Sequence, residues 1–196
     1  MSRKNFAEPF ALFAEWFAAA TAAEPADPQA MNLATVGRDG RPSSRIVLLR
    51  GHDERGFVFF THYDSRKGEE LFANPHAALC FHWKSLQRQI RIEGDAAPVS
   101  DQEGDEYFSR RARMSQIGAW ASDQSRPLDS RETFERRIAE AEARFKDRSV
   151  PRPPRWSGFR LAPARIEFWE ERPFRLHDRI LYRRDGDGWT TTRLYP

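Results

Sequence analysis

Near residue 30 the spacing of apolar residues changes period. Before it, Phe10, Phe13, Ala14 and Phe17 recur three and four apart, which predicts an amphipathic helix from Phe6 to about Ala23, broken by EPADPQA. After it, MNLATVG, SSRIVLLRGHD and FVFFTHY are short runs divided by the turns RDGRP and ERG, a meander of strands and hairpins. A short helix over SRKGEELFANP follows, capped by Asp64 or Ser65 and ending at Asn74-Pro75. Two more strands, HAALCFHW and RQIRIEGDAAPV, precede a helix opened by the capping-box pair Ser100 and Glu103. A longer helix covers SRETFERRIAEAEARFKDR, and VPRPPRW is a proline-rich loop. The strands FRLAPARIEFW, RILYRR and WTTTRLY close the chain around a DGDG turn. Short antiparallel strands with helices inserted between them predict a mainly β fold, a barrel or barrel-like sheet decorated by helices.

Composition narrows the class. A chain of 196 residues carries one full core and too little for two, and its 15 Phe and 6 Trp supply the apolar surface for it. Basic residues number 32 and acidic ones 29, so the net charge of +3 argues against a general nucleic-acid coat and leaves room for local basic pockets. The single cysteine, Cys80, has no internal disulfide partner and fits a reducing compartment. Glu8, Pro9 and Glu15 interrupt any signal-type apolar core and no run reaches the length of a membrane span, so a cytoplasmic protein is expected.

Four clusters carry candidate chemistry. Near the C-terminus, Trp169, Arg175, His177 and Arg179 fall within eleven residues; on a strand the last three share one face, suited to a flat anionic ligand or, read plainly, to a solvated edge. RIVLLR, from Arg45 to Arg50, reads as a buried strand bounded by arginines on opposite faces. Thr61, Ser65, Arg66 and Lys67 combine hydroxyls, cations and a helix start, the ingredients of an anion site or of an ordinary capped helix. Tyr107, Arg111 and Ser115 follow at helical spacing and can converge on one phosphate if the helix persists that far. His76, Cys80 and His82 share a strand face, but no metal-ligand spacing accompanies them, and a packed thiol beside partly exposed histidines is the preferred reading; no metal is expected.

Taken in order, NLATVGRDGRPSSRIVLLR, GFVFFTHYDSRKGEEL, ALCFHWKSLQRQIRIEG, YFSRRARMSQIGAWAS, QSRPL, PPRWSGFR, IEFW, RLHDR and the terminal RLYP resemble the pyridoxine (pyridoxamine) 5′-phosphate oxidase family, from about Met31 to Pro196. The resemblance implies an FMN-binding split β-barrel working as a homodimer, with a flavin at the subunit interface. It implies an oxidase domain over 31–196 that includes the C-terminal dimerisation and substrate region, preceded by the N-terminal helical segment over 1–30 that the helical spacing predicts. The implied reaction oxidises pyridoxine or pyridoxamine 5′-phosphate to pyridoxal 5′-phosphate by hydride transfer from C4′ to the flavin, with dioxygen as acceptor, peroxide as product and ammonia released from the amine.

Carried over by motif, the flavin set is Arg45, Ile46, Val47, Leu48, Leu49, Arg50, Phe60, Thr61, Arg66, Lys67, Gln89, Gln124, Ser125, Trp169 and Arg179. The substrate set is Arg50, Tyr107, Arg111, Ser115, Arg175, Leu176 and His177, of which Arg175 and His177 face the pyridine and are the catalytic candidates. Arg50 stands where the family usually has lysine, and Phe60 where tyrosine is common, removing a hydroxyl. Three rival readings are an FMN oxidase of the same barrel acting on dihydrophenazine-type tricycles, a flavin- or pyridoxal-phosphate-binding module without turnover, and a single-strand nucleic-acid barrel.

Overall fold

The computed structural model describes residues 8–196; Phe6, the expected start of the first helix, and the opening of the 1–30 segment lie outside the described residues. Helix α1 (Glu8–Ala23) buries Phe10, Phe13, Trp16 and Ala20, the stripe set by its helical spacing. Strands β1 (Ala30–Val36), β2 (Pro42–Leu48), β3 (Gly51–Asp53) and β4 (Gly56–His62) lead to α2 (Arg66–Ala73). Strands β5 (His76–Trp83) and β6 (Arg88–Pro98) precede α3 (Asp101–Ser109), α4 (Arg113–Ala121) and α5 (Arg131–Arg144). The chain closes with β7 (Trp156–Glu170), β8 (Asp178–Asp185) and β9 (Gly188–Arg193). Ser65 caps α2, accepting from the Gly68 amide, and Ser100 with Glu103 forms the expected capping box on α3.

Among the described residues the strands form one sheet in the order β2-β1-β5-β6-β7-β4-β3, with β8 and β9 branching from β7. The branch comes from the length of β7, 15 residues. Its first part, Trp156–Leu161, pairs with β4, and its last part, Arg165–Glu170, pairs with β8 on the same edge. Along the opposite edge β6 follows it almost throughout, with a register shift at Glu93/Gly94. A Cβ on Gly94 would lie 2.0 Å from the Ala162 carbonyl oxygen, so only glycine permits so close an approach at this bend.

Inside the curl sit Phe13, Phe57, Phe59, Phe81, Ile90, Ile92, Phe159 and Phe168, all at most 2% exposed. Phe13 of α1 packs edge-on against Phe57 at 4.8 Å and Phe81 at 5.4 Å, so α1 plugs the barrel with aromatic area worth about 2–3 kcal/mol per buried ring. A second cluster, with Phe108, Ile117, Ala141, Phe145 and Trp156, fastens α3, α4 and α5 to the outside of β7 and builds one wall of the site.

Two local expectations fail. SSRIVLLRGHD is not one strand, and of RIVLLR only Leu49 is buried: β2 stops at Leu48, pairs only with β1, and leaves Ile46 64% exposed. The Leu49 amide bonds to Gln29 and the next amide, Arg50, bonds to Val58 on β4, so the chain crosses from one end of the sheet to the other at this point and closes the curl. Nor do Arg175, His177 and Arg179 lie on one strand face. Arg175 ends a 3₁₀ turn, β8 begins at Asp178, and Phe174 and Arg175 adopt left-handed φ values of 60° and 64°. Pro173 opens that turn and cannot donate to a ladder, which keeps the segment out of the sheet.

Candidate active site

A cleft of about 730 Å³ opens between β2, β4, the N-terminal end of α2 and the α3–α4 corner. Its lining includes Arg45, Ile46, Val47, Leu48, Arg50, Phe60, Thr61, Lys67, Tyr107, Arg111, Ser115 and Gln124, and contains no carboxylate. The crossing at Leu49–Arg50 is what brings Arg45 and Arg50 to the same cleft, where strict alternation would have parted them. Leu49 turns into the core.

The cations fall into two groups. At the first, Lys67 Nζ donates to Gln124 Oε1 (2.9 Å), Thr61 Oγ1 (3.1 Å) and Ser65 Oγ (3.3 Å), and Thr61 Oγ1 donates to Gln124 Oε1 at 2.9 Å. Burial, reinforced by the charge of Arg45 and partly offset by Glu70, brings the Lys67 pKa down to about 8. An ammonium buried among neutral acceptors at the start of a helix is short of counter-charge, which an anion in the cleft would supply.

At the second, the Arg111 guanidinium lies 4.7 Å over the Trp156 ring, and its buried Nη1 has no hydrogen-bond partner among the described residues. Burial lowers its pKa, with Tyr107 opposing and Arg50 adding to the effect. Helix α3 ends at Ser109 and α4 begins at Arg113, so Tyr107, Arg111 and Ser115 do not share one helix; they converge because the corner folds back over the cleft. Tyr107 stacks on Phe60 at 3.9 Å and 12°, tying the α3 wall to β4. Between the groups sits His62, whose pKa is lowered by burial and then by Lys67 and Arg111.

The remaining expected residues lie elsewhere. Gln89, Trp169 and Arg179 stand abreast on β6, β7 and β8, since Gln89 registers with Trp169 and Trp169 with Arg179. The His177 ring packs on Trp169 at 4.6 Å, and its Nδ1 accepts from the Arg172 amide at 3.3 Å. Arg179 donates to Glu167 and to the Tyr195 carbonyl. Arg175 and Leu176 are exposed beside Phe174, and none of this group lines the cleft. Arg66 lies outside the cleft too, donating to Glu70 at 2.9 Å, and Ser125 is an exposed residue with φ 70° next to Gln124. His76 bonds to Asp95, away from Cys80 and His82. Trp156, His62 and Glu70 escaped the sequence reading; a glutamate four residues after Arg66 on a helix was the one signal available.

A sheet split along one long strand, with a basic cleft on one side and an aromatic–arginine row beside its C-terminal hairpin, defines a split-barrel protein. Comparison with known proteins gives the family. A family model described as pyridoxamine 5′-phosphate oxidase matches residues 17–145, and one described as the pyridoxine 5′-phosphate oxidase C-terminal dimerisation region matches residues 156–196. The chain belongs to the pyridoxamine 5′-phosphate oxidase family. It is 63% identical to a pyridoxine/pyridoxamine 5′-phosphate oxidase of Sphingopyxis alaskensis, over 100% of this chain and 91% of that protein, and 61% identical to one of Gluconobacter oxydans, over 97% and 95%. Among solved structures, PhzG from Burkholderia lata in complex with tetrahydrophenazine-1-carboxylic acid superposes with TM-score 0.91 at 40% identity, covering 96% of this chain and 92% of PhzG. An FMN-binding protein of Nostoc punctiforme shares the fold at TM-score 0.74 and 21% identity, over 93% and 96% of the two chains. No helix among the described residues is long and apolar enough to cross a membrane.

Proposed function

We propose that the protein is an FMN-dependent oxidase that converts pyridoxine 5′-phosphate and pyridoxamine 5′-phosphate to pyridoxal 5′-phosphate, with dioxygen as the final acceptor. The observation that carries this reading is the pair of separate cationic groups in one carboxylate-free cleft, one for each phosphate of a flavin mononucleotide and a phosphorylated pyridine. The donor set fits the cofactor. Arg45, Thr61, Lys67 and Gln124 would hold its phosphate, and the β2 segment Ile46–Leu48 offers backbone groups and apolar side chains to the flat ring. The flavin supplies the hydride acceptor when bound.

Substrate phosphate would be gripped by Arg50, Tyr107, Arg111 and Ser115, whose binding energy orients the reacting carbon at the far end of the molecule. Arg175 would clamp the pyridine, and His177, held by Trp169 and the Arg172 amide, would orient its substituents. Because Gln89, Trp169, Arg175, His177 and Arg179 miss the cleft of their own chain, the site is read as shared between two copies, each lending its row to the other's cleft. The C-terminal dimerisation match over residues 156–196, which hold most of that row, supports this.

The likeness to PhzG favours one rival, oxidation of a reduced phenazine-type tricycle. The Arg111 Nη1, without a partner among the described residues and beside Tyr107 and Ser115, weighs for a phosphorylated substrate instead. Purified protein should be yellow, bleach anaerobically with pyridoxine 5′-phosphate, recover in air and release peroxide. A colourless protein, or a flavoprotein reduced only by unphosphorylated tricycles, would sink the proposal.

A further inference from the structure

We infer that Glu70 is a positioning residue for the cofactor's phosphate: its buried carboxylate fixes the Arg45 guanidinium at the wall of the cleft. This rests on the FMN reading above. Glu70 is 7% exposed on α2 and does not line the cleft, so it acts through another side chain. Its Oε2 accepts from Thr35 Oγ1 (2.5 Å), Ser43 Oγ (2.6 Å) and Arg45 Nη2 (3.2 Å), and its Oε1 accepts from Arg66 Nε (2.9 Å).

Arg45 is held at both ends of its fork. Nη1 donates to the Leu33 carbonyl (3.2 Å) and Thr35 Oγ1 (2.5 Å), while Nη2 donates to Ser43 Oγ (2.5 Å) as well as to Glu70. A planar group clamped by β1, β2 and α2 together has little freedom left. Burial opposes the charge on Glu70, but the hydrogen bonds from Ser43, Thr35, Arg66 and Arg45 outweigh it and leave the pKa at about 2, so the clamp is ionised at every physiological pH.

Charge alone argues for the opposite effect. A carboxylate behind a phosphate site repels the ligand, so a purely Coulombic Glu70 would weaken cofactor binding and its removal would tighten it. Geometry predicts loss instead, because an Arg45 released beside Lys67 is pushed away by like charge and leaves the cleft wall.

Two variants separate the effects. Glu70→Asp keeps the charge and withdraws it by one methylene; Glu70→Gln keeps the length and an acceptor oxygen and removes the charge. Dissociation constants for FMN and riboflavin would be measured on apoprotein by flavin fluorescence quenching, with far-UV circular dichroism and gel filtration confirming fold and assembly. The expected result is an FMN affinity about fivefold or more weaker in Glu70→Asp, a change of less than about threefold in Glu70→Gln, and riboflavin affinity within about twofold in both. Tighter or unchanged FMN binding in Glu70→Asp, equal losses for both flavins, or a larger loss in Glu70→Gln would overturn the inference. Wild-type protein that binds neither flavin would remove the cofactor assignment itself, and that is read before any variant.

Discussion

Lys67 Nζ lies 2.9 Å from Gln124 Oε1, a bond between residues 57 apart in sequence that joins the start of α2 to the loop after α4. It fixes an ammonium whose pKa is lowered to about 8, and on the proposed FMN site this predicts pH-dependent cofactor binding. The folded apoprotein binds this proton less tightly than the unfolded chain does. Lys67 therefore costs stability below about pH 8, and that cost fades as pH rises toward its ordinary value of 10.5. A bound phosphate favours the charged form, so FMN affinity should fall above about pH 8, by up to about tenfold per pH unit. Flavin titrations from pH 6 to 10 check this; Lys67→Met should bind more weakly and lose the slope, and a wild-type profile without a break near 8 counts against the role.

Arg111→Ala removes the cation whose Nη1 has no partner among the described residues and that lies over Trp156. kcat/KM for pyridoxine 5′-phosphate should drop by about a hundredfold, mostly through KM, with FMN affinity nearly unchanged. Steady-state kinetics beside flavin titration tells the two apart; parallel losses would place Arg111 in the cofactor subsite.

Arg175→Ala should lower turnover more than it weakens flavin binding, since Arg175 lies on an exposed turn outside the cleft. Mixed dimers sharpen the point. If each cleft is completed by the other copy's row, a heterodimer of Arg111→Ala and Arg175→Ala chains has one intact site and one doubly damaged site. Coexpressed tagged chains should then regain about half of wild-type activity per heterodimer, whereas a site confined to one chain would regain none.

Gly56 has φ 137°, and a Cβ there would lie 2.0 Å from the Leu161 carbonyl oxygen on the paired strand. Gly56→Ala should destabilise the fold by about 3 kcal/mol, seen as a shifted denaturation midpoint. Wild-type stability would mean that β4 and β7 part there without cost.

Much of this was legible in residue order. The stripe positions Phe10 and Phe13, the Ser65 and Ser100 caps and the strands over β1 and β5 depend on neighbours a few positions away and are found where the sequence places them, whereas Phe17 is only half-buried and Ala14 is exposed. The errors fell where distant partners decide. Arg45 to Arg50 has the apolar run of a buried strand, yet it ends an edge and crosses to another because Arg50 bonds to Val58. Arg175 and His177 have strand spacing, yet Pro173 and two left-handed residues turn that segment out of the sheet.

The site divides in the same way. Sequence by itself determined which residues carry charge, hydroxyl and ring, and through ordered motifs it determined the family, because side-chain chemistry and short-range hydrogen bonding are properties of the local chain. Only the tertiary structure decided that Arg45 and Arg50 share a cleft, that Arg45 and Arg66 are both held by Glu70, and that Trp169 and Arg179 stand on a surface apart from Lys67. Those relations follow from how the nine strands of the described residues curl around an aromatic core, and that closure is a property of contacts between residues far apart in the chain.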